Sequence, residues 1–104
     1  MGDFDYIIVG GGSSGATLAG RLSSNPSVKV LLLEAGPSDG SLKIKVPLGY
    51  GSLFYDQKFN WKYKTEPEAE LNRRRMYWPR GKVLGGSSAI NAMVYVRGHQ
   101  NDFK

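Results

Sequence analysis

The 104-residue chain has no cysteine and a single histidine, His99, and no apolar run in it comes near the ~20 residues that cross a bilayer. Without cysteine no disulfide forms, which fits a reducing compartment. The N-terminus, Met-Gly-Asp-Phe-Asp, lacks the basic start and long apolar stretch of a secretory signal and runs directly into a predicted strand. Together these absences set the expectation of a cytoplasmic protein without a membrane span. His99 lies in the polar stretch Arg97 to Asp102 and reads as a solvated or hydrogen-bonded loop residue. No low-complexity tract or long repeat is present, and no metal site is expected. What remains is ordinary for a folded domain, with 40% hydrophobic and 22% charged residues. The net charge of +5 and the cluster Arg73, Arg74, Arg75, Arg80 and Lys82, with Tyr77 and Trp78 between, raise a nucleic-acid reading. No nucleic-acid fold signature accompanies the cluster, and solvated charge explains it better.

The most informative stretch is Asp5 to Gly15, D-Y-I-I-V-G-G-G-S-S-G, followed by a second apolar run, Val28 to Leu33, that Glu34 closes. Strand, glycine turn, helix, strand and terminal acid in that order form a dinucleotide-binding fingerprint. Gly10 permits the tight turn out of the strand, Gly12 keeps a side chain away from a pyrophosphate, and Gly15 lets the helix pack against the strands. Ser13 and Ser14 open the helix, where amides, hydroxyls and the helix dipole favour an anion. A helix is predicted from Ser14 to about Ser23, carried by Leu18, Ala19 and Leu22 and stopped by Asn25-Pro26. The unalternating run that follows suits a parallel strand covered on both faces. Glu34, 19 residues past Gly15, is placed to accept hydrogen bonds from ribose hydroxyls and to repel a phosphorylated ribose.

The second informative stretch runs from Trp78 to Phe103, W-P-R-G-K-V-L-G-G-S-S-A-I-N-A-M-V-Y-V-R-G-H-Q-N-D-F. Gly85 and Gly86 open unusual backbone conformations, and Ser87, Ser88 and Asn91 add polar groups just beyond, a combination suited to backbone contact with a ring system. A strand is predicted over Met93 to Val96. Between the two motifs, Gly36 to Pro79 is punctuated by Pro37, Gly40, Pro47, Gly49, Gly51, Pro67 and Pro79, which predicts a long extended excursion with a short strand near Trp61 to Thr65. The tetrapeptide Gly-Gly-Ser-Ser occurs at 11–14 and again at 85–88, and so short a match reads as parallel use of small residues.

The segments G-G-G-S-S-G at 10–15 and G-K-V-L-G-G-S-S-A-I-N-A-M-V-Y-V-R-G at 81–98 resemble the glucose–methanol–choline (GMC) oxidoreductases. N-W-K-Y-K-T-E-P-E at 60–68 resembles their choline-dehydrogenase-like branch. The resemblance covers essentially the whole chain. It implies an α/β fold, the N-terminal part of a Rossmann-like FAD-binding domain, with 1–36 as the βαβ unit, 37–79 as a lid-like segment and 80–104 as the flavin-contacting motif. It further implies FAD held by Gly10, Gly12, Ser13, Ser14 and Gly15 at the pyrophosphate, by Glu34 and Ala35 at the ribose, and by Val83, Gly86, Asn91, Ala92, Met93 and Val94 along the isoalloxazine. Trp61 and Arg80 are weaker candidates on the adenine side. Relatives that tether FAD carry a histidine where this chain has Ile90, so a non-covalent cofactor is expected.

A doubly wound sheet needs more strands than these residues supply, so the chain reads as a fragment, with the substrate domain and the catalytic residues downstream of Lys104. No catalytic residue is expected within it. The implied activity is oxidation of a small-molecule alcohol by hydride transfer to the flavin, in partnership with the rest of the enzyme. Two other readings stand beside it: an NAD-linked dehydrogenase fragment, and a nucleotide-binding module without catalysis.

Overall fold

The computed structural model describes residues 3–104, so the first two residues of the 1–36 segment lie outside the described residues. Strand β1 (Tyr6–Val9) and strand β2 (Val30–Leu33) pair in parallel, with Tyr6 opposite Val30 and Val9 opposite Leu33. Helix α1 (Ser13–Leu22) makes the crossover. Local chemistry fixes each boundary. The apolar run ends at Gly10, and the Gly10 N–H still donates to the Leu33 carbonyl at 2.8 Å, so the turn remains tied to β2. At the other end of α1, Ser24 Oγ donates to the Gly20 carbonyl at 2.9 Å, and the chain turns over Asn25-Pro26 into β2.

The sheet is less covered than its sequence predicts. Only Ile8 of β1 is buried, Val9 is 82% exposed, and β2 is half-buried with Leu33 exposed. The reason is that α1 packs on one face, and among the described residues no other helix packs on the pair.

The hydrophobic core lies outside the βαβ unit, where Leu53, Phe59, Val83 and Ile90 pack together with Ile44 and Ala89 against them. Residues from the middle of the chain build half of it, which corrects the expectation of an extended excursion. Helix α2 (Leu42–Lys45), a 3-10 turn begun by Pro47, and helix α3 (Tyr50–Leu53) fold back so that Ile44 and Leu53 reach the core. An antiparallel hairpin follows, with β3 (Tyr63–Lys64) on β4 (Tyr77–Trp78), extended by bridges between Asn60 and Gly81 and between Glu68 and Arg74. The Tyr77 hydroxyl donates to the Phe54 carbonyl, and its ring stacks on Tyr55 at 5.6 Å. Burial, with Tyr55 alongside, pushes the Tyr77 phenol above its ordinary range and keeps it a neutral donor.

The strand predicted over Met93 to Val96 does not form. These residues are strongly exposed and pair with no other segment among the described residues. Alternation and β-branching make a segment suited to a sheet, but a neighbouring strand makes the ladder.

Asn60 holds the hairpin to α3. It is 2% exposed, and its Nδ2 donates to the Leu53 and Phe54 carbonyls at 3.3 and 2.9 Å. Its Oδ1 accepts from the Lys62 and Arg80 amides at 2.9 and 3.0 Å. Asn60→Leu keeps the volume and strands these backbone groups, so a stability loss of about 2–4 kcal/mol is expected. Urea unfolding of the complete protein measures it, and a loss below about 0.5 kcal/mol would show that water replaces the amide without cost.

Candidate functional site

The first wall of the site is the turn from β1 into α1. Gly10 has φ +98°, in the left-handed region that favours glycine. A Cβ on Gly15 would stand 1.9 Å from the Gly10 carbonyl oxygen and 3.3 Å from Ile8 Cγ2, so helix and strand approach too closely for any side chain there. The first-turn amides of α1, at Ser13 and Ser14, have no carbonyl partner within the helix and face the anion-favouring end of its dipole.

The second wall comes from the far end of the chain. Gly85 N donates to Gly11 O at 2.7 Å, and Gly12 and Gly85 form a parallel bridge. Gly86 has φ +59°, and a Cβ on it would lie 2.8 Å from Gly12 Cα. The 3-10 turn Gly86–Ala89 then packs on α1. The two Gly-Gly-Ser-Ser segments are therefore in direct backbone contact, which similarity of composition alone does not reveal. Leu84 N donates to Pro37 O at 2.9 Å and ties the same wall to the exit of β2.

Between the walls lies a groove of about 530 Å³, lined by Val9, Gly10, Gly12, Leu33, Glu34, Ala35, Trp61, Gly81 and Gly86. Glu34 is half-buried, and its carboxylate is already engaged. Oε2 accepts from Gly11 N at 2.7 Å, and Oε1 accepts from Gly36 N at 2.9 Å. Each oxygen keeps lone-pair capacity for a further donor. Trp61 is 42% exposed at the groove, not buried in the core; its ring stacks on Tyr63 at 5.9 Å, and Lys82 Nζ lies 4.9 Å from the indole centroid.

The remaining candidates separate from this groove. Arg80 places its guanidinium 5.0 Å from the Trp78 ring and donates through Nη1 to Pro79 O at 2.8 Å. With Phe54, Ser87, Ile90, Asn91 and Ala92 it lines a second hollow of about 240 Å³. Val83 is fully buried in the core, and only its backbone, through its carbonyl to Gly86 N at 2.7 Å, supports the glycine wall. Met93 borders a third hollow near Tyr50, and Val94 is 80% exposed away from all of them. Sequence reasoning missed Gly81, Gly11 and Lys82. Lys82 had a signal, as a basic residue inside the second glycine motif, but its contact with Trp61 depends on the hairpin.

The phosphate turn is open on the side of Gly12. A Cβ on Gly12 meets nothing nearer than Gly86 Cα at 3.9 Å, so the fold itself has room for a side chain there. Among the described residues no cluster of three or more His, Asp or Glu is arranged to hold a metal ion.

A parallel strand–helix–strand unit, a glycine turn and an acid facing one groove define a dinucleotide-binding α/β protein. The chain belongs to the GMC oxidoreductase family, whose N-terminal-domain model matches residues 4–104. It is 56% identical to an alcohol dehydrogenase [acceptor] of Pseudomonas putida over 97% of this chain and 18% of that protein. It is 55% identical to an oxygen-dependent choline dehydrogenase of Vibrio vulnificus over 96% of this chain and 18% of that one. Among solved structures, a formate oxidase of Aspergillus oryzae studied for its FAD modification superposes with a TM-score of 0.83 at 41% identity, covering 96% of this chain and 18% of the other. The chain thus spans about a fifth of the length of the relatives it matches. No helix among the described residues is long and apolar enough to cross a membrane.

Proposed function

We propose that this chain is the FAD-binding N-terminal part of an enzyme that oxidises a primary alcohol, choline being a leading candidate. The observation that carries the reading is the meeting of the two glycine motifs and Glu34 around one groove. Relatives named for alcohol and choline oxidation support a CH–OH donor. The NAD-linked and non-catalytic readings lose their support to the family match, which runs through the second glycine motif.

Bound FAD supplies the acceptor for a hydride from the alcohol carbon. Gly10, Gly12, Ser13, Ser14 and Gly15 take the pyrophosphate, with backbone amides and the α1 dipole offsetting its charge. Glu34, beside Ala35, offers its free lone pairs to the adenosine ribose, and Trp61 faces the adenine. Gly86, Asn91, Ala92, Met93 and Val94 would hold the isoalloxazine, with the buried Val83 supporting Gly86 through its carbonyl and Arg80 lining one hollow with Asn91 and Ala92. Residues 37–79 then act as a cover, and the proton-transfer groups come from the rest of the polypeptide. A cytoplasmic location is part of the proposal, and the cysteine-free chain is compatible with a reducing compartment. Adding a primary alcohol anaerobically to the complete protein tests the activity. Bleaching of the flavin is expected, and an unchanged spectrum with choline and simple primary alcohols would refute alcohol oxidation.

We also assign a non-covalent cofactor. Ile90 is 3% exposed and aliphatic, cysteine is absent, and His99 caps its own turn, its Nδ1 accepting from Asn101 N at 3.3 Å. Acid precipitation of the holoprotein is expected to leave yellow colour in the supernatant. Colour that stays with the pellet would show a covalent bond.

A further inference from the structure

Glu34 does something before any ligand arrives. Its carboxylate stands in the groove proposed for a pyrophosphate, where an uncompensated negative charge would oppose binding. Each of its oxygens instead accepts from a backbone amide of a different segment, Gly11 in the phosphate turn at 2.7 Å and Gly36 at the exit of β2 at 2.9 Å. Gly11 is buried, and its carbonyl accepts from Gly85 N at 2.7 Å, so both peptide units flanking Gly11 are held. Gly36 is pressed against the Lys82 carbonyl so closely that a Cβ would stand 1.9 Å from its oxygen. A Cβ on Gly11 would lie 3.2 Å from Glu34 Oε2 and 3.0 Å from Leu84 Cδ1, so a side chain there would press on the carboxylate that holds the turn.

Resting on the FAD-binding reading above, we propose that Glu34 is a positioning residue for the pyrophosphate turn: its carboxylate clamps the Gly11 and Gly36 amides and so presets the turn against the Lys82-to-Gly86 wall. Cofactor affinity then depends on Glu34 through two routes, a contact to the ribose and a preorganised turn that no ribose is needed to sense. Ionisation is essential to the second route. A carboxylate accepts from both amides, whereas the isosteric amide of glutamine accepts from one and turns an N–H toward the other donor. Glutamine still hydrogen-bonds a ribose hydroxyl, which donates as well as accepts.

Glu34→Gln in the complete protein, stripped of its cofactor, separates the routes with inorganic pyrophosphate as the probe, read as its competition against FAD rebinding. A weakening of pyrophosphate by about tenfold is expected, because the probe has no ribose and the loosened turn outweighs the loss of a carboxylate charge that the two amides already offset. Pyrophosphate that competes equally well against wild type and variant would overturn the clamp while leaving FAD binding intact. Wild-type protein that binds neither FAD nor pyrophosphate would instead overturn the FAD-binding reading itself. Amide hydrogen exchange of the cofactor-free wild type decides the matter if the variant fails to fold. Slow exchange at Gly11 and Gly36 is expected, and exchange at the rate of open chain at either would overturn the clamp.

Discussion

Gly12→Val is expected to give a folded protein that does not retain FAD. The fold has room for a Cβ at 12, since the nearest atom to it is Gly86 Cα at 3.9 Å and the backbone φ of −72° is open to any residue. On the FAD-binding proposal the groove does not tolerate it, because the branched side chain enters the space assigned to the pyrophosphate beside the turn. Loss of the phosphate contacts weakens FAD by at least about 100-fold, roughly 2.7 kcal/mol. Circular dichroism and flavin content of the purified variant check both halves. Full flavin in a folded Gly12→Val protein would remove the pyrophosphate from this turn.

Gly15→Val is expected to fail earlier, at folding. Its Cβ would stand 1.9 Å from the Gly10 carbonyl oxygen, and that oxygen belongs to the backbone of the turn, which cannot rotate aside as a flexible side chain does. Helix α1 would have to lift from β1, uncovering Ile8, the one buried residue of that strand. A destabilisation of about 3–5 kcal/mol follows, placing the change among the severe steric substitutions. Thermal unfolding of the complete protein measures it. A Gly15→Val protein that melts with wild type would show that helix and strand do not approach as described. The pair of variants thus separates two uses of glycine three residues apart, one demanded by the protein and the other by the ligand.

Those two glycines also mark where sequence reading succeeds. The βαβ unit is legible because its signals are local: apolar runs set β1 and β2, helical spacing and Asn25-Pro26 set α1, and Gly10 sets the turn. Glu34 is legible as an acid at the end of a strand, yet its grip on Gly11 and Gly36 is not, because both bonds depend on how the turn and the exit of β2 come together. Val83 has a packing role that its motif does not announce. It sits inside a motif associated with the cofactor, but its side chain is the most buried in the core, since Leu53, Phe59 and Ile90 converge on it from distant positions. The middle of the chain misled for a related reason. Its prolines and glycines read as breaks, whereas Pro47 starts a turn that lets Ile44 and Leu53 fold onto that core. Asn60 carried no signal as a hub, because its four hydrogen bonds exist only once the hairpin closes over α3.

The central claim is that the two glycine motifs enclose a flavin dinucleotide, and the cofactor itself tests it most directly. The complete protein is purified, its visible spectrum recorded, and the small molecule released by acid identified by chromatography against FAD, FMN and NAD. A yellow protein that releases one FAD per chain is the expected result. A colourless protein, or one that releases NAD, would contradict it.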